Sequence, residues 1–358
     1  LQFLPYVISS RVRIARNLRN YRFPNEACSE ERRAVLEDVQ TAASKTKWFN
    51  NVHCIYIDTL SSLERRVLEE KHLISPLFGE QGVHRLAIVA KTFDFSILVN
   101  EEDHLRIQAI RPGMQIRKAW DITKNLEMSL REKLDFAYSD QYGYCTTCSS
   151  NVGTGIRLSV MMFLPGLILL KRITPILQQI VASGYTVRGM YGEGSKSQGY
   201  LLQISKQIMY KEQKMDILRN LERICHSIIV KEQLARSQLL RLAGMKLCHR
   251  IEQVCHSFST AERVTFSAGI RMLAMLRLGI ALGIEYCHLG KIDGKIENRF
   301  RNLRYIDGLW LQIQPAHVLT YEVPEHQYNC PVHHYLAEQE DEDYIRPKVI
   351  KQELGIGK

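Results

Sequence analysis

Ser9-Ser10-Arg11-Val12-Arg13 sets two guanidinium groups two residues apart inside a short segment, Val7–Arg13, rich in β-branched side chains. In an extended strand that spacing puts both on one face. Whatever this chain folds into must therefore give a pair of permanent cations a place on a sheet surface. The pattern recurs. Arg106 follows an acidic run, Arg157 closes Gly153-Thr154-Gly155-Ile156-Arg157, and Arg188 precedes Gly189. Arginines in such Gly- or Ser-marked segments suit phosphate, because the planar fork bonds its oxygens bidentately and never loses its charge.

Other phosphate-binding devices are absent from the sequence. It contains no G-x-x-x-x-G-K-[ST] loop and neither H-R-D nor D-F-G. The acidic run is Asn100-Glu101-Glu102-Asp103-His104-Leu105-Arg106. It reads either as a polar turn after a strand or as a carboxylate that grips a guanidinium and takes its proton. The second role needs a fixed base, since a guanidinium with a pKa above about 12 is a poor nucleophile.

The 358 residues exceed one average domain, so two domains are expected. With 45% hydrophobic and 24% charged residues, the chain reads as soluble and globular. Its longest apolar run, Val160 to Leu170, is interrupted by Pro165 and stops at Lys171-Arg172, too short for a membrane span. The first ten residues lack a secretory layout. Nine cysteines, an odd number spread singly from Cys28 to Cys330, point to reduced thiols in a cytoplasm. Cys145 and Cys148 form one C-x-x-C with no second pair at zinc-finger spacing. The net charge of +10 comes from basic residues dispersed along helical segments, without a basic tail. It fits a solvated surface with some arginines committed to phosphate better than direct nucleic-acid binding.

Strands are expected at Val7–Arg13, Cys54–Thr59, Arg85–Ala90 and Phe95–Asn100. Helical spacing marks Glu30–Lys45 and Ser61–His72, the latter opened by an N-cap signal of Ser61-Ser62 followed by Glu64. Trp120–Phe136 aligns Ile122, Leu126, Leu130 and Leu134 on one face, and Lys211–Leu242 does the same with Leu218, Leu221, Cys225, Ile228 and Ile229. Ala261–Ile284 is also helical in pattern, and Glu338–Asp343 reads as a solvated loop or a helix start. The expected α+β architecture is a mixed domain over 1–240 followed by a smaller, mainly helical domain over 241–358.

Val7–Arg13, Val99–Ile107, Cys148–Val160 and Val187–Ser195, in that order, resemble the signature blocks of the phosphagen (guanidino) kinases. Lys71–Pro76, Gly192–Ser195, Leu276–Ile280 and Gln314-Pro315-Ala316-His317 resemble the bacterial protein-arginine kinase branch of that family. The resemblance implies a catalytic domain built on an antiparallel sheet flanked by helices. It implies ATP held by Ser10, Arg11, Arg13, His72, Arg106, Arg157 and Arg188, and Mg2+ near Glu101 through water. Glu102 would be the carboxylate on the target guanidinium and Cys148 the active-site cysteine. Glu193, Ser195 and Lys196 would belong to a substrate loop, Gly189–Gly199, that closes over the site. The branch further implies protein substrates, a homodimer formed through the C-terminal helices, and association with a zinc-containing activator and the Clp unfoldase–protease in stress-linked protein quality control. The long C-terminal extension favours protein substrates over free arginine.

The sequence departs from the family pattern in places. A carboxylate is usual where Lys196 stands, and a like charge facing a guanidinium costs several kcal/mol in a closed site. The family's Cys-Pro is Cys148-Ser149, its Ile-Ser-Asn is Ile204-Ser205-Lys206, and a glycine is replaced within Met209-Tyr210-Lys211. The branch holds phosphoarginine with an Arg-Asp pair in its C-terminal domain. Glu342-Asp343 stand there in this chain. The alternative expectation is therefore an ATP-binding pseudokinase acting as a scaffold or regulator.

Overall fold

The computed structural model describes residues 5–80, 82–189, 198–284, 302–320 and 341–354. Ten strands occur among them: β1 (Val7–Arg16), β2 (Val52–Tyr56), β3 (Leu86–Ala90), β4 (Phe95–Val99), β5 (Leu105–Pro112), β6 (Tyr138–Ser139), β7 (Gly143–Tyr144), β8 (Ile156–Phe163), β9 (Thr186–Gly189) and β10 (Leu201–Ile208). The helices of the first 182 residues are α1 (Ser29–Ser44), α2 (Ser62–Glu70), α3 (Pro76–Gly79), α4 (Ile116–Arg131), α5 (Pro165–Leu169) and α6 (Ile173–Ala182). After β10 the described chain is helical: α7 (Lys214–Thr260), α8 (Phe266–Ala281), α9 (Leu303–Gln312), α10 (Pro315–Leu319) and α11 (Glu342–Leu354).

Eight strands form one sheet in the order β2-β3-β4-β5-β1-β8-β10-β9, every neighbouring pair antiparallel. Alternation along the central strands sorts the two faces. Val12 and Ile14 of β1, Ile107 and Ala109 of β5, Leu158 and Val160 of β8, and Ile204 and Ile208 of β10 point one way. They pack under α1, α4 and the first half of α7. The opposite face is apolar only at its ends. Ile55, Ala87, Val89 and Leu98 lie under Val67, Leu68 and Phe78 of the α2–α3 region. Phe163 and Leu201 lie under Ile270 of α8 and Trp310 of α9. Between these two covered ends the sheet carries polar side chains at the floor of a trough.

Sequence expectation and structure differ at several boundaries. The strand expected over Cys54–Thr59 is β2, which stops at Tyr56 because Ile57–Thr59 turn as a 3-10 helix. The helix expected from Ala261 starts at Phe266, where Thr265 accepts from the N–H of Ala268 as N-cap. The Trp120–Phe136 pattern belongs to α4, which ends at Arg131 and leaves Leu134 buried beyond it. The expected cap of α2 is present as a capping box: Ser61 accepts from the Glu64 N–H at 3.3 Å, and Glu64 accepts from the Ser61 N–H at 2.5 Å.

α7 runs through residue 240 and departs from helical backbone at Ala243 (φ −143°, ψ 21°). Its fully buried Glu232 accepts from the N–H groups of Gly166 and Leu167, both at 2.9 Å, and from Arg236 Nε at 2.7 Å, thereby capping α5 onto α7. Of the acidic run Glu338–Asp343, residues 338–340 lie outside the described residues, and Glu342 opens α11. Asp343 pairs with Arg346 at 2.6 Å and Arg263 at 3.3 Å, and Asp341 pairs with Arg263 at 3.3 Å. Among the described residues no helix is long and apolar enough to cross a membrane.

Candidate active site

Register decides where the arginines go. Arg13 of β1 faces Arg157 of β8 on one side and Gln108 of β5 on the other, while Ala15 faces Arg106. Ser205 of β10 faces Ser159, and Gln203 faces Arg188 of β9. Side chains directly opposite one another share a face. Arg11, Arg13, Arg106, Arg157 and Arg188 therefore all line the trough, with Arg188 on the edge strand. Arg16, odd in spacing from Arg13, turns to the other face and is buried against Glu127 at 3.1 Å.

The cations are crowded. Burial, followed by repulsion from Arg106 and Arg157, brings the Arg11 guanidinium down to about 9, with Glu101 opposing the fall. Arg13 is lowered well below its ordinary value by burial and then by Arg11, Arg106 and Arg157. The Nε atoms of Arg11 and Arg13 are buried without a hydrogen-bond partner. Arg11 donates to Gln108, and Arg157 donates to Ser205 at 2.9 Å. His72, at a left-handed φ of 58°, keeps solvent exposure, while crowding by the surrounding protein, then repulsion from Arg11 and Arg13, pulls its ring down to about 4.

The acidic run is a tight turn between β4 and β5, bent by Asn100 at φ 62°. Buried Glu101 accepts from Arg106 and from Ser75. Asp103 accepts from Asn17 Nδ2 and from the N–H of Thr147, both at 2.7 Å, which ties this turn to the segment carrying Cys148. Glu102 is half-buried. Its carboxyl is raised by burial and by Asp103 and Glu101, while Arg106 and a hydrogen bond with Cys148 oppose the rise. Cys148 Sγ also lies 3.0 Å from Ser150 Oγ. A carboxylate and a thiol thus meet at the rim of the cation cluster. Cys145 and Cys148 are free thiols, and the described residues hold no group of three or more potential metal ligands.

Ser10 is not brought to this surface. It points to the opposite face, where its hydroxyl donates to the Gly113 carbonyl at 2.7 Å and accepts from the Gln115 N–H at 3.0 Å. Glu193, Ser195 and Lys196 lie outside the described residues, as does most of the expected loop Gly189–Gly199. Sequence reasoning missed Ser75, Gln108, Asp103 and Ser205. Gln108 and Ser205 had a readable signal, each being polar at a trough-facing position in an alternating strand.

Residues 34–235 match the family model described as ATP:guanido phosphotransferase, C-terminal catalytic domain. The chain belongs to this family. β1, which carries Arg11 and Arg13, precedes the matched stretch. Proteins named protein-arginine kinase are similar over most of their length. The one from Halothermothrix orenii is 38% identical over 305 residues, covering 81% of this chain and 87% of the relative. The one from Caldanaerobacter subterraneus subsp. tengcongensis is 33% identical over 349 residues, covering 97% and 98%. The fold is shared with a lombricine kinase (TM-score 0.58, 22% identity, 65% of this chain and 68% of that one). It is also shared with the duplicated taurocyamine kinase of Schistosoma mansoni (TM-score 0.59, 22% identity, 73% and 39%).

For a guanido phosphotransferase, one of this chain's departures from the pattern of the signature blocks, Lys206, lies off the trough. Lys206 pairs across from Leu158 on the apolar face and reaches Glu212 at 3.4 Å, so it does not touch the arginines. Lys211 has a φ of 71°, the conformation that a glycine adopts without strain. The kinase chemistry of this family uses ATP.

Proposed function

We propose that this guanido phosphotransferase transfers the γ-phosphoryl group of ATP to arginine side chains of other proteins. One observation carries the reading: four half-buried arginines crowd around one another on the trough floor, a fifth lines its edge, and a carboxylate–thiol pair adjoins them. A crowded cluster of cations costs free energy, and a polyanion lowers that cost. The triphosphate fits that demand, since the buried Nε groups of Arg11 and Arg13 have no other partner.

In the proposed reaction a guanidinium nitrogen of the substrate attacks the γ-phosphorus. The N–P bond forms, the bond between phosphorus and the bridging oxygen breaks, ADP leaves with that electron pair, and the nitrogen's proton passes to Glu102. Arg11, Arg13, Arg106, Arg157 and Arg188 bind and align the phosphates, His72 stands near Arg11 and Arg13, and Cys148 orients the guanidinium beside Glu102. Such catalysis asks mainly for positioning and charge neutralisation. The donor set also fits Mg2+ near Glu101. One carboxylate oxygen is engaged by Arg106 and Ser75, while the other accepts only a 3.3 Å contact from the Glu102 N–H, leaving it available to a metal-bound water. The ion would neutralise phosphate charge there.

Protein rather than free arginine is the proposed substrate because similar proteins that the chain covers over 87% and 98% of their length bear the name protein-arginine kinase. The sequence resemblance extends the proposal to a cytoplasmic homodimer working with a zinc-containing activator and a Clp unfoldase–protease. We also propose a division into a sheet domain and a helical domain near the break in α7 at Ala243. The test is phosphoarginine formation on a model protein, read by mass spectrometry under conditions that spare acid-labile P–N bonds. Wild type should give product, and Glu102→Gln about 100-fold less or lower still. ATP binding without product above the mutant background would leave only the scaffold reading.

A further inference from the structure

We infer that Glu70 and His317 form a positioning clamp through which the C-terminal helices hold the nucleotide side of the trough. The inference rests on the reading of the trough as an ATP site. Glu70 is the last residue of α2, where a carboxylate meets the negative end of the helix dipole and needs compensation. That compensation comes from 246 or more positions away in the chain. The carboxylate accepts from the backbone N–H of Ala316 at 2.8 Å and of His317 at 3.0 Å, the opening of α10, and lies 2.6 Å from His317 Nδ1. Both side chains are largely buried, and Ala316 is packed into the same apolar cluster as α2 and α3.

From Glu70 the chain passes directly into the trough. The next residues form the turn through His72 to Ser75, and three of its residues are hydrogen-bonded to groups that lead to the arginines. The carbonyls of His72 and Leu73 accept from Gln108 Nε2 at 3.0 and 2.9 Å, and Ser96 Oγ donates to Leu73 at 2.7 Å. Gln108 in turn accepts from Arg11. Ser75 donates to Glu101, which pairs with Arg106. The His72 ring lies near enough to Arg11 and Arg13 to feel their charge. The links from α10 to Arg11 and Arg106 are thus hydrogen bonds, ion pairs and one short turn fixed by a left-handed residue. A displacement of α10 relative to α2 must move the turn that orients these arginines. Glu70 and His317 touch no part of the proposed reacting groups, so they act through Arg11, Arg106 and Glu101.

Calorimetric titration of the full chain with the magnesium complex of a non-hydrolysable ATP analogue tests this. Glu70→Gln and His317→Ala should each weaken binding about tenfold, and the double variant should be no weaker than the poorer single one. His317→Asn, which places an amide N–H where Nδ1 lies, should bind within about twofold of wild type. The KM for a protein substrate at saturating ATP should stay within about twofold in all of them. Variants that melt earlier yet bind the analogue like wild type would show a cap that only stabilises, and would overturn the inference. Additive losses in the double variant would also overturn it. A wild-type chain that bound no analogue would instead refute the ATP reading itself.

Discussion

Arg11→Met separates the cost of the cation cluster from its use. The guanidinium is brought down from the ordinary arginine range to about 9, so its charged form in the ligand-free protein is disfavoured by about 5 kcal/mol before solvent screening. Arg11 keeps some exposure, and discounting the figure for screening leaves on the order of 2–3 kcal/mol. Methionine of similar length abolishes that cost and forfeits the hydrogen bond to Gln108, worth about 1 kcal/mol. Net stabilisation of the ligand-free protein by about 1–2 kcal/mol is expected. The sign follows from linkage. A base whose folded pKa is depressed destabilises the fold at every pH below that value, so the full gain is present at neutral pH and fades as pH rises through about 9 towards the ordinary arginine range. The same substitution removes a charge-assisted contact to phosphate worth about 1.5–3 kcal/mol, weakening ATP binding about 10- to 100-fold. Urea unfolding with and without MgATP reads both effects. Loss of stability without nucleotide would refute the idea that the empty cluster is strained by its own charge.

Glu102 must be ionised to take a proton, and its carboxyl is raised above the ordinary value, so kcat should fall as pH drops through that raised pKa. A pH–rate profile in which Glu102→Gln retained the same acid limb would assign that limb to another group. Glu232→Ala strips buried Arg236 and the start of α5 of their carboxylate and should cost about 3–5 kcal/mol in chemical unfolding. Lys206→Asn restores the family's residue on the face away from the arginines, and kcat/KM should change by less than about twofold. Gly153→Ala should lower stability by more than about 1 kcal/mol, because φ is 113° and the new Cβ would lie 2.9 Å from that of Tyr210; an unchanged melting temperature would show that the turn can relax.

The part of this site legible in the sequence was the part written at short range. Arg11 and Arg13 two apart on a β-branched strand foretold a shared face, and their strand is β1. β8 was obscured because Ile156–Phe163 runs into Leu164–Leu170, so that one long apolar run hid its alternation. Lys206 and Ser10 sit beside trough-facing residues in sequence, and only the pleat reveals that they face away. The link from Glu70 to His317 lay beyond sequence reading, since no local pattern reports a partner that far along the chain. Strand register supplied what was missing: which arginine stands opposite which.

That register has a consequence for how the protein folds. Between Val7 and Ser9 the β1–β8 pairing shifts at an irregularity, after which Arg11 and Arg13 alternate with Val12 and Ile14. A pairing error of one residue would drive two guanidinium groups into the aliphatic layer under α1 and α4 while exposing valine and isoleucine to water. The side chains that make the empty trough uncomfortable thus also act as proofreaders of strand alignment, penalising the wrong frame before any nucleotide is present.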